Sequence, residues 1–82
     1  MSVRYHDWYG RYKLADIGGY SALVGPNAGP METADWWVRV IGKRPDIRNV
    51  YEVDEEFYNR FRGEYEAKGL FYDGGEGGGN EL

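Results

Sequence analysis

The chain has 82 residues, a formal net charge of −4, no cysteine, and an aromatic content of 17% spread over eight Tyr, three Trp and three Phe. That length holds one domain, which buries only about 60% of the surface its unfolded chain exposes, so aromatic side chains burying roughly 150–250 Å² each must supply the core. The composition excludes a disulfide framework and thiolate chemistry. No apolar run nears the ~20 residues that span a bilayer and the amino terminus lacks a signal-peptide pattern, so a soluble, cytoplasmic protein is expected.

Residues 3–9, VRYHDWY, and 12–17, YKLADI, are rich in residue types that suit a pleated, half-buried surface, and both read as strands. Gly18-Gly19 is a two-residue glycine turn of the kind hairpins use, and Tyr20–Val24 follows it directly. Tyr12–Ile17 and Tyr20–Val24 are therefore expected to pair as a hairpin. Residues 25–35, GPNAGPMETAD, contain two Gly-Pro pairs and an Asn, so the first half of the stretch leaves the sheet as a loop.

The next stretch admits two readings. Pro30 can open a helix that places Met31, Ala34, Trp37, Val38 and Ile41 on one face and stops at Gly42. Against this, Trp36–Ile41, WWVRVI, is a run of aromatic and β-branched residues, and that run favours a strand. Gly42–Asp46, GKRPD, is a basic turn, because Pro45 disfavours helix at Arg44. Ile47–Val53 reads as a last long strand.

Val53–Leu70 carries the start, face and stop signals of one helix. Asp54 can cap the first amides, Glu55 and Glu56 favour the positive end of the dipole, and Gly69 sits where a Schellman stop lets Leu70 fold back on Tyr65. Phe57, Tyr58, Phe61 and Tyr65 form the apolar stripe, and Glu56–Arg60 and Glu64–Lys68 are spaced as i,i+4 ion pairs. Leu70–Tyr72 is too short to classify. Residues 73–82 include Gly74, Gly75, Gly77, Gly78 and Gly79 and read as a flexible tail. The expected fold is α+β: residues 1–72 as a small antiparallel sheet of about four strands, with one C-terminal helix packed on it and a glycine-rich tail at 73–82.

Catalytic groups are scarce. His6 is the single imidazole, and neither Ser2 nor Ser21 lies in a nucleophile-elbow pattern. Glu52, Asp54, Glu55 and Glu56 lack the alternating acids and turn glycine of a calcium loop, and one His without Cys serves zinc poorly, so no metal or other cofactor is expected. GPNAGP lacks the Lys and Ser/Thr of a phosphate-binding loop. Arg39, Lys43, Arg44 and Arg48 beside Trp36 and Trp37 are the one nucleic-acid-like footprint, and four bases in an acidic chain are a weak one. A small enzyme using His6 and the 25–35 loop remains a third class of reading.

Charge is unevenly placed. Residues 1–49 hold seven Lys or Arg against five acids, and residues 50–82 hold three against nine, that is +2 against −6. The simplest account of that acidity is solubility. The functional account is a non-enzymatic protein-binding module, in which Glu52, Glu55, Glu56, Glu64 and Glu66 present carboxylates to a larger protein with a basic surface. Trp36 and Trp37 add the residue types that dominate interface hot spots, as do Tyr51, Tyr58 and Tyr65. By analogy of size and acidity, this is the pattern of a phage or mobile-element inhibitor of host nucleic-acid machinery, whose carboxylates take the place of phosphates. The alternative is a structural homo-oligomer in which Trp36 and Trp37 pair across the interface. No membrane partner is expected.

Overall fold

The computed structural model describes residues 7–74. The expected tail from residue 75 onward and the first residues of the expected 3–9 strand lie outside them. The element order is β1 (Tyr12–Ile17), β2 (Tyr20–Val24), α1 (Pro30–Ile41), β3 (Ile47–Val53), α2 (Glu55–Ala67) and β4 (Phe71–Tyr72). The four strands form one sheet in the order β3-β1-β2-β4.

The hairpin forms because Gly18 and Gly19 both adopt positive φ, 57° and 86°, which a two-residue turn with the right twist requires. Its register pairs Ile17 with Tyr20 and Ala15 with Ala22. β3 pairs antiparallel to the other side of β1, with an irregularity between Ala15 and Ile17. β4 pairs parallel to β2, Leu23 against Phe71 and Val24 against Tyr72. The sheet is therefore mixed, not wholly antiparallel. The chain reaches β4 through a helical crossover, and a crossover returns a strand in the same direction.

Two further expectations are corrected. Residues 30–41 are helix, so the strand reading of Trp36–Ile41 fails and the fold has two helices. Pro30, at the first helical position, has no amide to satisfy, and the Gly29 N–H donates to Glu32 Oε1 at 3.1 Å. Gly42, at φ 81°, ends the helix with its N–H donating to the Val38 carbonyl at 2.9 Å. Helical winding brings Thr33, Trp36 and Trp37 onto one buried face. Burying two indoles, at about 25 cal/mol per Å², is worth several kcal/mol, whereas β-forming residues cost a helix at most ~0.7 kcal/mol each. The second correction concerns residues 7–9, which are not strand. There Trp8 turns into the core, Gly10 takes φ 81°, and the Gly10 N–H donates to the Pro26 carbonyl at 2.8 Å.

The two helices cover opposite faces. Ala15, Ile17, Ala22, Val24 and Val50 pack with Trp8, Trp36 and Trp37 on the α1 side. On the other side, the Tyr58 ring lies 4.5 Å from Tyr12 and 5.6 Å from Phe71, centroid to centroid, above the fully buried Leu23. The connection β2-α1-β3 crosses the sheet in one direction and β3-α2-β4 returns in the other. With right-handed crossovers, that reversal puts the helices on different faces. β4 joins both layers, because Phe71 meets Tyr58 while Tyr72 stacks on Trp36 at 5.2 Å and 11°.

Asp54 caps α2, its side chain accepting from the Phe57 N–H at 2.8 Å. The helix ends with the Gly69 N–H donating to Glu66 O and the Leu70 N–H to Tyr65 O, with Gly69 at φ 75°. Gly74, which composition assigns to the tail, lies against the Asn27–Ala28 backbone: a Cβ on it would come within 2.6 Å of the Asn27 carbonyl oxygen.

Candidate functional site

The seven side chains singled out from the sequence do not gather in one place. Trp36 and Trp37 are 8% and 2% exposed and touch edge-to-face at 5.8 Å inside the core. Neither indole reaches the surface, because the helical turn of α1 points both at the sheet. The same burial removes them from a homo-oligomer interface and from the basic footprint around Arg39, Lys43, Arg44 and Arg48, which are exposed on α1, the following turn and β3. Tyr58 is core as well, and Tyr65 is half-buried.

The five glutamates are all exposed. Glu52, on β3, accepts from Arg11 Nη1 at 2.8 Å, and Glu64 pairs with Lys68 at 3.4 Å. The expected Glu56–Arg60 pair does not form. Each basic side chain of the α2 region instead lies over a ring: Arg60 over Phe61 at 5.8 Å, Arg62 over Phe71 at 5.2 Å, and Lys68 over Tyr65 at 5.5 Å. Stacked this way, a cation covers apolar surface and stays close to its own helix. Among the described residues, Glu55, Glu56 and Glu66 have no ion pair. At 3.6 residues per turn, Glu55 and Glu66 lie on one line of α2 about 16 Å apart, and Glu56 is roughly a quarter-turn away. Glu64 points off another flank.

Beside the acidic start of α2 lies an open depression of about 240 Å³ lined by Asp54, Glu56, Phe57, Arg60 and Phe61. The two phenyl rings are 4.7 Å apart and form its apolar part. It is smaller than the roughly 300–1,000 Å³ of most small-molecule sites. Among the described residues no group of three or more His, Cys, Asp or Glu is placed to hold a metal ion, and no helix is long and apolar enough to cross a membrane. His6 and Ser2 lie outside the described residues, and Ser21 is exposed on β2.

The groups with shifted proton affinity are structural in placement. Lys13 is fully buried, and its ammonium donates to three carbonyl oxygens: Trp8, Arg11 at 2.8 Å and Gly25 at 2.9 Å. Burial, and secondarily the Arg11 charge, lowers its pKa to about 8. Tyr58 is pushed up to about 12, first by burial and then by the Asp73 charge. The Tyr9 hydroxyl donates to Glu32 Oε2 at 2.6 Å, which raises the tyrosine and lowers the glutamate. Lys13 and the Tyr9–Glu32 pair tie the 7–11 segment to β1, the end of β2 and α1.

Sequence reasoning missed Lys13 altogether. Its one signal is parity: Lys13 alternates with Ala15 and Ile17, the strand's core-facing positions. The Arg11–Glu52 pair was equally invisible, since it depends on the β1–β3 register. No family model matches this chain, and neither curated proteins nor solved structures show a match to it.

Proposed function

We propose that the protein acts by binding, not by catalysis, as a small cytoplasmic inhibitor or adaptor whose partner is a larger protein with a basic surface. One observation carries the reading: among the described residues Glu55, Glu56 and Glu66 are exposed and have no ion pair, while Arg60 and Arg62 lie over aromatic rings. Unpaired carboxylates keep their full attraction for a partner's Lys and Arg, whereas paired ones must first give up a contact. Glu52 and Glu64 are of the second kind and contribute less. In its most specific form the partner is nucleic-acid machinery of a phage or mobile-element host, and the Glu55–Glu66 line occupies a groove that otherwise holds phosphates.

The test is a Glu55→Lys/Glu66→Lys variant. Both sites are exposed, so the fold is expected to survive, which circular dichroism checks. A partner captured from host lysate by the wild-type chain should be lost by the variant and released by raised salt. Capture that is equal for both chains at all salt concentrations sinks the proposal.

A further inference from the structure

One row of side chains crosses the whole sheet on the α2 face. Tyr51 pairs with Leu14, Leu14 with Leu23 and Leu23 with Phe71, so one residue from each strand lines up in the order β3-β1-β2-β4. Burial is uneven along it. Leu23 is fully buried and Phe71 half-buried, because α2 packs on β2 and β4. Leu14 is only half-buried although it lies in the second strand, and Tyr51 is 44% exposed. A sheet face that meets solvent carries polar side chains, whereas this uncovered half sets a leucine and a tyrosine side by side.

The wall of the uncovered half is α2 itself. Arg62 lies over Phe71 of β4, and Phe61 and Phe57 are set about 100° and 140° from it around the helix, past Tyr58, on the flank toward β1 and β3. Both rings are half-buried, and they lie 4.7 Å apart. Strands lie about 4.8 Å apart, so β1 and β3 together offer a strip about 10 Å wide, one helix diameter. The six residues of β1 make it about 20 Å long, the length of the 13-residue α2. Charge at the border selects the occupant. Asp16 alternates onto the face of Leu14, and Asp54 and Glu56 stand at the start of α2, against one cation, Arg60. Arg48, at the far end, is neutralised by Asp46 at 3.1 Å. Among the described residues neither Asp16 nor Glu56 has an ion pair.

We propose that a partner protein lays a basic amphipathic helix on this strip, alongside α2, with its apolar stripe on Leu14, Tyr51 and Phe61 and with Lys or Arg reaching Asp16 and the Asp54–Glu56 end of α2. Helices docked in this way present anchors at i, i+3, i+4 and i+7. At the roughly 8–10 Å between axes usual for neighbouring helices, the incoming helix completes the layer that α2 half fills. Tyr51 is the anchor residue on this side, a ring of the type that dominates interface energetics. Glu55 and Glu66 lie on the other flank of α2, the one toward β4, so the inference does not depend on them.

The probe is a synthetic helical peptide of about 15 residues, with leucines at i, i+3, i+4 and i+7 and lysines on its other faces, titrated into the isotope-labelled full chain and followed by NMR. The amides of Leu14, Tyr51 and Phe61 should shift. Tyr51→Lys should raise the Kd about ten-fold or more, Tyr51→Phe should bind like the wild type, and Glu55→Lys/Glu66→Lys should leave the shifts at Leu14 and Tyr51 in place. The same spectra show that each variant is folded. Absence of shifts up to about millimolar peptide overturns the proposal, as does equal binding by a peptide with glutamates in place of the lysines. Shifts confined to the Glu55–Glu66 flank overturn it too, while leaving the carboxylate reading standing. In the free chain, shifts at Leu14 and Tyr51 that change on dilution would give the strip to a second copy. Contacts from the Tyr51 ring to residues outside 7–74 would give it to the chain's own ends, and either result removes the partner helix.

Discussion

Lys13 Nζ and the carbonyl oxygen of Gly25, 2.9 Å apart, join the start of the hairpin to its end from inside the protein. The ammonium meets three carbonyls and the face of the Trp8 ring but no carboxylate, so dipoles and a ring quadrupole stabilise its charge while burial works against it. The folded lysine releases its proton near pH 8 and the unfolded one near 10.5. Between those values the unfolded state binds more protons, so stability rises with pH. The expected gain is on the order of 3 kcal/mol by urea unfolding. Lys13→Met, which keeps the stem and removes the titrating group, should lack this slope; an identical slope in both proteins would assign it elsewhere.

Tyr58 works in the opposite sense at higher pH. Its phenol stays protonated up to about 12 in the fold, against 10.0 for an ordinary tyrosine. The folded state therefore holds the extra proton, and stability is lost as pH rises from about 10 toward 12. Tyr9 is shifted the same way by Glu32 and adds to the loss. Tyr58→Phe is expected to unfold at higher alkaline pH than the wild type. Phenolate absorbance should show that the tyrosine removed was a late-titrating one.

Gly74 is confined twice, by φ 82° and by the Asn27–Ala28 backbone against it. Gly74→Ala strains the dihedral and forces the two segments apart, at a cost of about 1–3 kcal/mol. The displacement should propagate to the bond from the Gly25 N–H to the Tyr72 carbonyl, 2.8 Å in length. Hydrogen exchange at Gly25 should accelerate while that at Ala15, in the central strand, follows global stability only. Unaltered exchange at Gly25 would mean that Gly74 is not held there.

What was legible in the sequence is what is decided locally. Gly18-Gly19 sets the hairpin within a few residues, and Asp54 and Gly69 mark the ends of α2 through hydrogen bonds that span one turn. α1 was misread because its local and global signals disagree: WWVRVI favours a strand, and only the burial of Trp36 and Trp37 against a sheet made elsewhere decides for helix. The parallel direction of β4 rests on two residues and had no signal to give. The candidate surface was half legible. The exposure of the five glutamates follows from their charge, but Glu52 and Glu64 turn out to be paired, and the indoles grouped with them belong to the core.

The sheet order has a kinetic consequence. β1 and β2 are sequence neighbours joined by two residues, and a hairpin of that kind closes in about 1–10 μs. Their outer partners come from far along the chain: Val50 pairs with Ala15, and Phe71 with Leu23. Each outer strand must wait for its own helix to be laid across the sheet, so loop closure, not local propensity, sets the folding time. β4 also cannot dock before α2 has formed and packed. It is therefore expected to dock last, although one phenyl and one phenol ring at β4 hold the two helical layers together.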